Sequence, residues 1–410
     1  MLKIAQLVTT VILSCIASLT AGKVEAGVSA EPKYRYHYVS LDQAVLPHGF
    51  AYFSPADVVD NGKVYGTLLR SDDPDGCFPS IGVWRQGRVS VLVDGARGGL
   101  ASNSGTIAGE VVRDCVGKLA LFRHVGVKLI PTPPDALFTF VDQLTNPGVA
   151  LIESVFFEEG FVRSTLSLYR RGRSIPIDLG PGSAFSSPHI TSFGGLVAGT
   201  YIQPGSASGA NDTRAFRHHT SSGTTTFLRP RATEHVTWGQ GIHQNGDVLG
   251  YSWNPGSVVG VWRNRPGNPF QTWLVEGTAD FPTVSNRLLW NEPGLIVVTV
   301  TGNYNSYIVP RPGVALNLAD LTAPPPPRRE MDIWDINDRG DLLGAHYDPD
   351  TGEYVGSFLL RRVGGHRAAA LTPTVAAARH HAPLPRNLMG ALHPELFQPR
   401  TNRKIGSVTR

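Results

Sequence analysis

One short phrase, glycine–x–apolar–x–glycine, returns through this chain at nearly even intervals. It reads NGKVYG at Gly62 and Gly66, SGTIAG at Gly105 and Gly109, GGLVAG at Gly195 and Gly199, NGDVLG at Gly246 and Gly250, and RGDLLG at Gly340 and Gly344. Two looser copies keep only the first glycine, NPGVALI at Gly148 and EPGLIVV at Gly294. Seven copies at roughly 43 to 51 residues call for a repeat architecture before any other reading of the chain.

Each copy has a fixed internal order. A variable loop follows the glycine strand, and then comes a short strand with a bulky residue, often before arginine: Trp84, Phe122, Tyr169, Phe216, Trp262 and Phe358, with Ile308 in the weak sixth copy. A tight turn leads to a further strand, such as VSVLVDG or SIPIDLG. One more strand precedes each glycine turn, as in PADVVDN, TFVDQLTN and IWDIND. The segments are rich in β-branched and aromatic residues and bounded by Gly, Asn, Asp and Pro, which reads as strands and turns. No stretch has helical periodicity. Four short strands repeated seven times predict an all-β fold, a seven-bladed β-propeller of four-stranded blades. A lone blade cannot bury its faces, and closing the ring removes the open ends. The first glycine suits a turn needing positive φ, and the second suits close approach of a neighbouring backbone. YRYHYVSLDQ (34–43) resembles a fourth strand standing ahead of the first blade and is expected to complete blade seven.

The stretch INDRGDLLGAHYDPDTGEYVGSFLL (336–360) resembles the HAF repeat of bacterial extracellular proteins, and IHQNGDVLGYSWNPGSVVGVWR is similar to it. The resemblance covers residues 50–373, strongest in copies five and seven. It implies an exported propeller and brings no catalytic residues with it.

The ends read differently. Residues 1–26 run from Lys3 through an apolar stretch to small-residue sites, the order of a secretory signal peptide. A membrane anchor and lipid attachment at Cys15 are the competing readings. The propeller is expected over 34–373, and 374–410 are expected to form a basic, loosely ordered tail, with six Arg or Lys against one acid, Glu395. Because the formal net charge of the whole chain is +4, the rest is close to neutral. A secreted or periplasmic monomer follows, with no nucleic-acid partner and no membrane span after cleavage.

In a propeller the loops between second and third strands and the connections between blades open on one face. Both vary in length here, so function is expected on that face. His189, His235, Trp238, Trp334 and Asp335 are expected near its channel, with His243 farther along a first strand, as candidates for ligand contact. Two acidic loops, DDPDG with Asp73 and Asp75 and DPDTGE with Asp348 and Asp350, have spacing that could suit Ca²⁺, although ordinary turn chemistry accounts for them as well. No other cofactor is expected. Cys77 and Cys115 each stand seven residues before their blade's bulky residue, so they occupy equivalent sites and are expected to form a disulfide. Asn211 heads a glycosylation sequon. Zincin, nucleophile-elbow, phosphate-loop and zinc-finger motifs are all absent from the sequence.

Two functions remain open at this stage. One is a non-catalytic binding or scaffold protein that holds a glycan, peptide or protein partner on its variable-loop face. The other is a propeller enzyme, a lyase or hydrolase of extracellular saccharide or peptide, with its site at the channel mouth. Convergence of the histidines and acids at one mouth would favour the second.

Overall fold

The computed structural model describes residues 34–363 except 74, 159–160, 181–182, 192–193, 203–212, 230–235, 254–256, 276–284, 301–303 and 349. The expected signal peptide, Cys15, Asn211, His235 and the tail from 374 lie outside the described residues. Among the described residues no helix is long and apolar enough to cross a membrane.

Seven antiparallel sheets follow one another along the chain. Their first strands are Phe50–Val58, Ala96–Ala101, Phe138–Leu144, Ser183–Ile190, Val236–Ile242, Ser285–Trp290 and Asp332–Ile336. Blades one to six each take four consecutive strands. Blade seven is closed by the N-terminus: Arg35–Ser40 pairs antiparallel with Tyr354–Val363, and Thr322–Ala323 adds a short parallel fifth strand outside it. The expected closure therefore holds. The first strand of blade six, SNRLLW, runs straight into the NEPG turn at Gly294.

Seven apolar clusters fill the seven seams between blades. Trp84, Phe53 and Leu359 lie between blades seven and one. Phe122, Tyr65 and Ile107 lie between one and two, and Tyr169, Leu121 and Ile152 between two and three. Phe216 and Leu168 follow between three and four, and Trp262 with Ala198 between four and five. Phe358 and Ile308 are buried between six and seven. Val261, Ile296, Val309 and Tyr307 lie between five and six. In the weak sixth copy the ring is Tyr307 rather than the expected position Ile308: it stands opposite Val298, four residues after Gly294, and is buried in this same seam.

Strand register refines two expectations. Trp84, Phe122, Tyr169 and Trp262 stand opposite Val64, Ile107, Ala150 and Val248, each two residues beyond a turn glycine. Phe216 and Phe358 instead stand opposite the second glycines, Gly199 and Gly344. Side chains alternate with a period of two, so the two-residue shift keeps the ring on the same face of the sheet. The turn glycine of blade four is Gly194 (φ 72°), not Gly195. Thr191 N–H reaches Leu196 O there, whereas Val59 N–H reaches Lys63 O in blade one, so this turn carries one extra residue. The second glycines are required by contact. A Cβ on Gly250 would sit 1.9 Å from Trp238 O, and one on Gly66 2.1 Å from Ser54 O, both on the adjoining first strand.

Candidate functional site

First strands run down the channel and end at the short glycine turns, so one face carries those turns and the other carries the variable loops. On the turn face the blades are tied together. Glu292 N–H donates to Asp338 Oδ1 (3.1 Å), Asp338 N–H to Asp60 Oδ1 (2.8 Å), Asp60 N–H to Asn103 Oδ1 (2.9 Å) and Asn103 N–H to Asn146 Oδ1 (3.0 Å). Each acceptor stands two residues before its turn glycine. An open groove of about 380 Å³ lies on this face where the blade-four turn is longer, lined by Thr191, Leu196, His219, Gln244, Asn245 and Asn264.

The channel wall is tied in the same manner. Asp335 Oδ2 accepts from Val58 N–H at 2.7 Å, and Asp57 Oδ2 from Ala101 N–H at 2.6 Å. Gln143 Oε1 accepts from Ile190 N–H at 2.7 Å and Gln240 Oε1 from Leu288 N–H at 3.0 Å. In each case a first-strand side chain caps the backbone of the next blade. Asp57 and Asp335 also share a hydrogen bond. Burial raises both carboxyls, Asp57 the more so because Asp335 lies beside it, and the pair keeps a proton on Asp57. A second acid pair, Asp142 with Glu153, lies in blade three, where burial and the neighbouring charge push Asp142 well up.

The sequence-predicted residues do not form one constellation. His189 lies in the channel wall, where Gln143 Nε2 donates to its Nδ1 at 2.7 Å and burial lowers it to about 4, keeping the ring neutral. His243 begins the turn of blade five, and His189 stands two residues before the corresponding turn residue of blade four, Thr191, so both lie toward the turn end of their strands. His243 stacks on Trp290 at 5.2 Å, and its Nε2 donates to Glu292 O at 2.7 Å. Trp238 packs on Tyr251 at 4.7 Å, and Trp334 packs against the cluster between blades seven and one. Asp335 is the wall carboxylate described above.

In the acidic loops, Asp73 accepts from Cys77 N–H (3.0 Å) and Phe78 N–H (2.5 Å). Asp348 accepts from the N–H groups of Asp350 and Thr351 and from Arg328 at 3.1 Å, which together hold its carboxyl below the usual range. Asp75 and Asp350 are exposed. Among the described residues no three His, Cys, Asp or Glu gather as a metal-holding group. Cys77 and Cys115 are joined in a disulfide between the loops of blades one and two, with Cα atoms 4.4 Å apart.

The sequence reading missed an aromatic seam on the variable-loop face. Tyr304 stacks on Tyr347 at 5.1 Å, Tyr347 meets Tyr354 edge-on at 6.1 Å, and Tyr354 meets Tyr52 edge-on at 6.4 Å. The four rings span blades six, seven and one, and each is half-buried. Tyr304 has φ 51°, a left-handed backbone that a bulky side chain rarely adopts. Burial raises Tyr347 to about 12, with Asp332 and Arg287 acting on it; those two residues form an ion pair of 2.8 Å. Tyr354 hydroxyl donates to Asp42 Oδ1 at 3.3 Å. One local signal was available, because Tyr347 and Tyr354 flank the DPDTGE loop.

Fold and site define a seven-bladed β-propeller that carries an aromatic seam on its loop face. No family model matches the sequence, and no curated protein matches it. Among solved structures, virginiamycin B lyase from Staphylococcus aureus is similar at 12% identity over 80% of this chain and 99% of its own, with TM-score 0.46. The propeller domain of the Trilobed protease from Pyrococcus furiosus is similar at 12% identity over 77% and 99%, with TM-score 0.48. A puromycin-hydrolyzing peptidase from Mycobacterium tuberculosis is similar at 13% identity over 78% and 56%, with TM-score 0.49. At these identities no activity carries across.

Proposed function

We propose that the protein is an exported, non-catalytic binding propeller that holds a glycan, peptide or protein partner on its variable-loop face, with the tyrosine seam as the contact surface. The observation behind this reading is Tyr304. Its left-handed backbone carries a bulky aromatic ring, stacked on Tyr347, at a position where glycine would avoid the strain. Aromatic faces beside the Arg287–Asp332 pair offer stacking and hydrogen bonding together, the combination that sugar rings and extended peptides use. A lyase or hydrolase needs an acid and a base in one place, and His189 and His243, one engaged by Gln143 and the other by Glu292 O, lend that alternative no support.

The test is a glycan and peptide array probed with the mature protein, the Y304A variant and the Y347A variant. Saturable binding that falls at least about tenfold in both variants, a loss of about 1.4 kcal/mol, supports the reading. Binding unchanged in both, or turnover of a bound saccharide, overturns it.

A further inference from the structure

The outer edges of the blades are handled unequally. In blade one Val45 lies along the last strand, with Val45 N–H donating to Gly87 O (2.8 Å) and Val89 N–H to Val45 O (2.9 Å). In blade seven Thr322–Ala323 covers the N-terminal strand. Pro176 interrupts the edge of blade three, and three threonines make that of blade four polar. Gly313 N–H donates to Trp273 O on the edge of blade five, and the edge strand of blade six runs into the short helix Leu318–Leu321. These are the usual ways in which an open edge is blunted. Blade two has none of them among the described residues. Its last strand, Gly126–Leu129, is exposed along its whole length, and Val125 (94%), Val127 (55%) and Leu129 (53%) are among the exposed apolar side chains.

The direction of the free backbone groups follows from one hydrogen bond. Ile130 N–H donates to Leu119 O at 2.8 Å, so residue 130 faces inward. Antiparallel pairing alternates, so Lys128 and Gly126 also face inward, opposite Leu121 and Arg123. Val127 and Leu129 therefore turn their N–H and C=O groups outward. Lys128 is the one charge on this strand, and lysine is a common guard of edges. Here its ammonium reaches back to blade three, 6.0 Å from the Tyr169 ring centre and against Gly172, away from the edge.

We propose that the blade-two edge pairs with the same edge of a second copy of this chain, antiparallel about a two-fold axis through Val127. The register is self-complementary. Val127 meets its own copy and exchanges both backbone hydrogen bonds, while Leu129 meets the partner's Val125. Lys128 falls opposite the partner's Gly126, not opposite another lysine, so no like charges face each other. Registers centred one residue on set Lys128 against itself, and those centred on Leu129 bring Pro131, which has no N–H, onto the edge. The contact is one strand wide, well below the roughly 800 Å² per partner of a standard interface, so the dimer is weak and reversible. It departs from the monomer read from sequence, and it is independent of the tyrosine seam.

Sedimentation velocity of the mature protein over a concentration series, up to about 1 mM, tests the pairing. A monomer–dimer equilibrium is expected, weakened at least about tenfold by Val127→Lys. Val127→Cys, oxidised at low concentration, is expected to give a covalent dimer, because directly opposed residues in a hydrogen-bonded pair have Cα atoms about 5.5 Å apart. Lys118→Cys, on the neighbouring inner strand, is expected to give none. A wild-type protein that stays monomeric throughout, or a dimer that Val127→Lys and Leu129→Glu leave unchanged, overturns the proposal.

Discussion

Asp60 and Asp338 stand 278 residues apart, and the Asp338 N–H donates to the Asp60 carboxylate at 2.8 Å across the seam where the ring closes. The same carboxylate accepts from Asn103 Nδ2, and Arg339 donates to Asp60 O at 3.0 Å, so blades seven, one and two meet at one residue. Asp60→Ala leaves the Asp338 N–H, in a half-buried turn, without its acceptor. We expect a loss of about 1–2 kcal/mol, read as a lower urea midpoint with unchanged slope. Asp60→Asn keeps an acceptor oxygen and is expected to recover most of that loss. If both substitutions cost the same, charge rather than the hydrogen bond holds this turn.

The repeated phrase itself predicts a cost. Gly250 lies where a Cβ would come within 1.9 Å of Trp238 O and 2.8 Å of the Trp262 ring, the latter buried in a packed seam. Neither strand can move without opening that seam, so Gly250→Ala is expected to cost more than about 3 kcal/mol or to prevent folding. Gly267 provides the control. It has φ 82° and open space around it, so alanine there meets only backbone strain, of about 1 kcal/mol. Thermal melts of the two variants should differ clearly.

The disulfide links loops of successive blades across 38 residues of chain. Removing it with the paired Cys77→Ser and Cys115→Ser substitutions frees a loop of that length in the unfolded chain. The chain-entropy account then gives a loss of about 3–4 kcal/mol. Equilibrium unfolding of the double variant against wild type checks it. A difference below about 1 kcal/mol would mean that the seam between blades one and two already holds the two loops together.

The architecture was legible because period, turn chemistry and strand patterning agreed. Asp247 and Asp341, which follow the turn glycines in the two strongest copies, show why the phrase repeats. Each caps an N–H near the end of its blade's third strand, Asn264 at 2.7 Å and Arg362 at 3.0 Å. Burial works against ionisation at Asp247, yet the Asn264 N–H and Arg263 outweigh it and hold the carboxyl below its usual range. Asn245 and Asn337, in turn, cap Asp247 and Asp341 N–H. The equivalent cysteine positions were legible for the same reason, since both count back from a truly paired residue, Trp84 or Phe122. The site was not legible. Tyr52, Tyr304, Tyr347 and Tyr354 come from three blades and meet only when the ring closes, and no spacing in one dimension encodes that. Residue type alone also does not reveal that His189 accepts from Gln143 and His243 donates to Glu292 O.

Asp57 and Asp335 give the ring a dependence on pH whose sign can be worked out. Burial raises both carboxyls, so the folded protein holds a proton that the unfolded chain releases near the usual carboxylate range of about 4. The stabilisation is complete below that range and is lost as pH rises through the folded-state value. The groups facing the pair are the Ala101, Val58 and Ile336 N–H donors and Tyr65, itself raised by burial and by Asp57. His189 works in the opposite sense. Lowered to about 4, it favours the folded state most above its unfolded value near 6.5 and less as pH falls. Asp57→Asn separates the two, since asparagine can still donate to Asp335 and accept from Ala101 N–H but cannot titrate. Urea unfolding from pH 4 to pH 8 is expected to show wild-type stability falling relative to the variant as pH rises, with the gap closing again toward pH 4. Parallel curves across that range would mean that the pair holds no proton in the folded state.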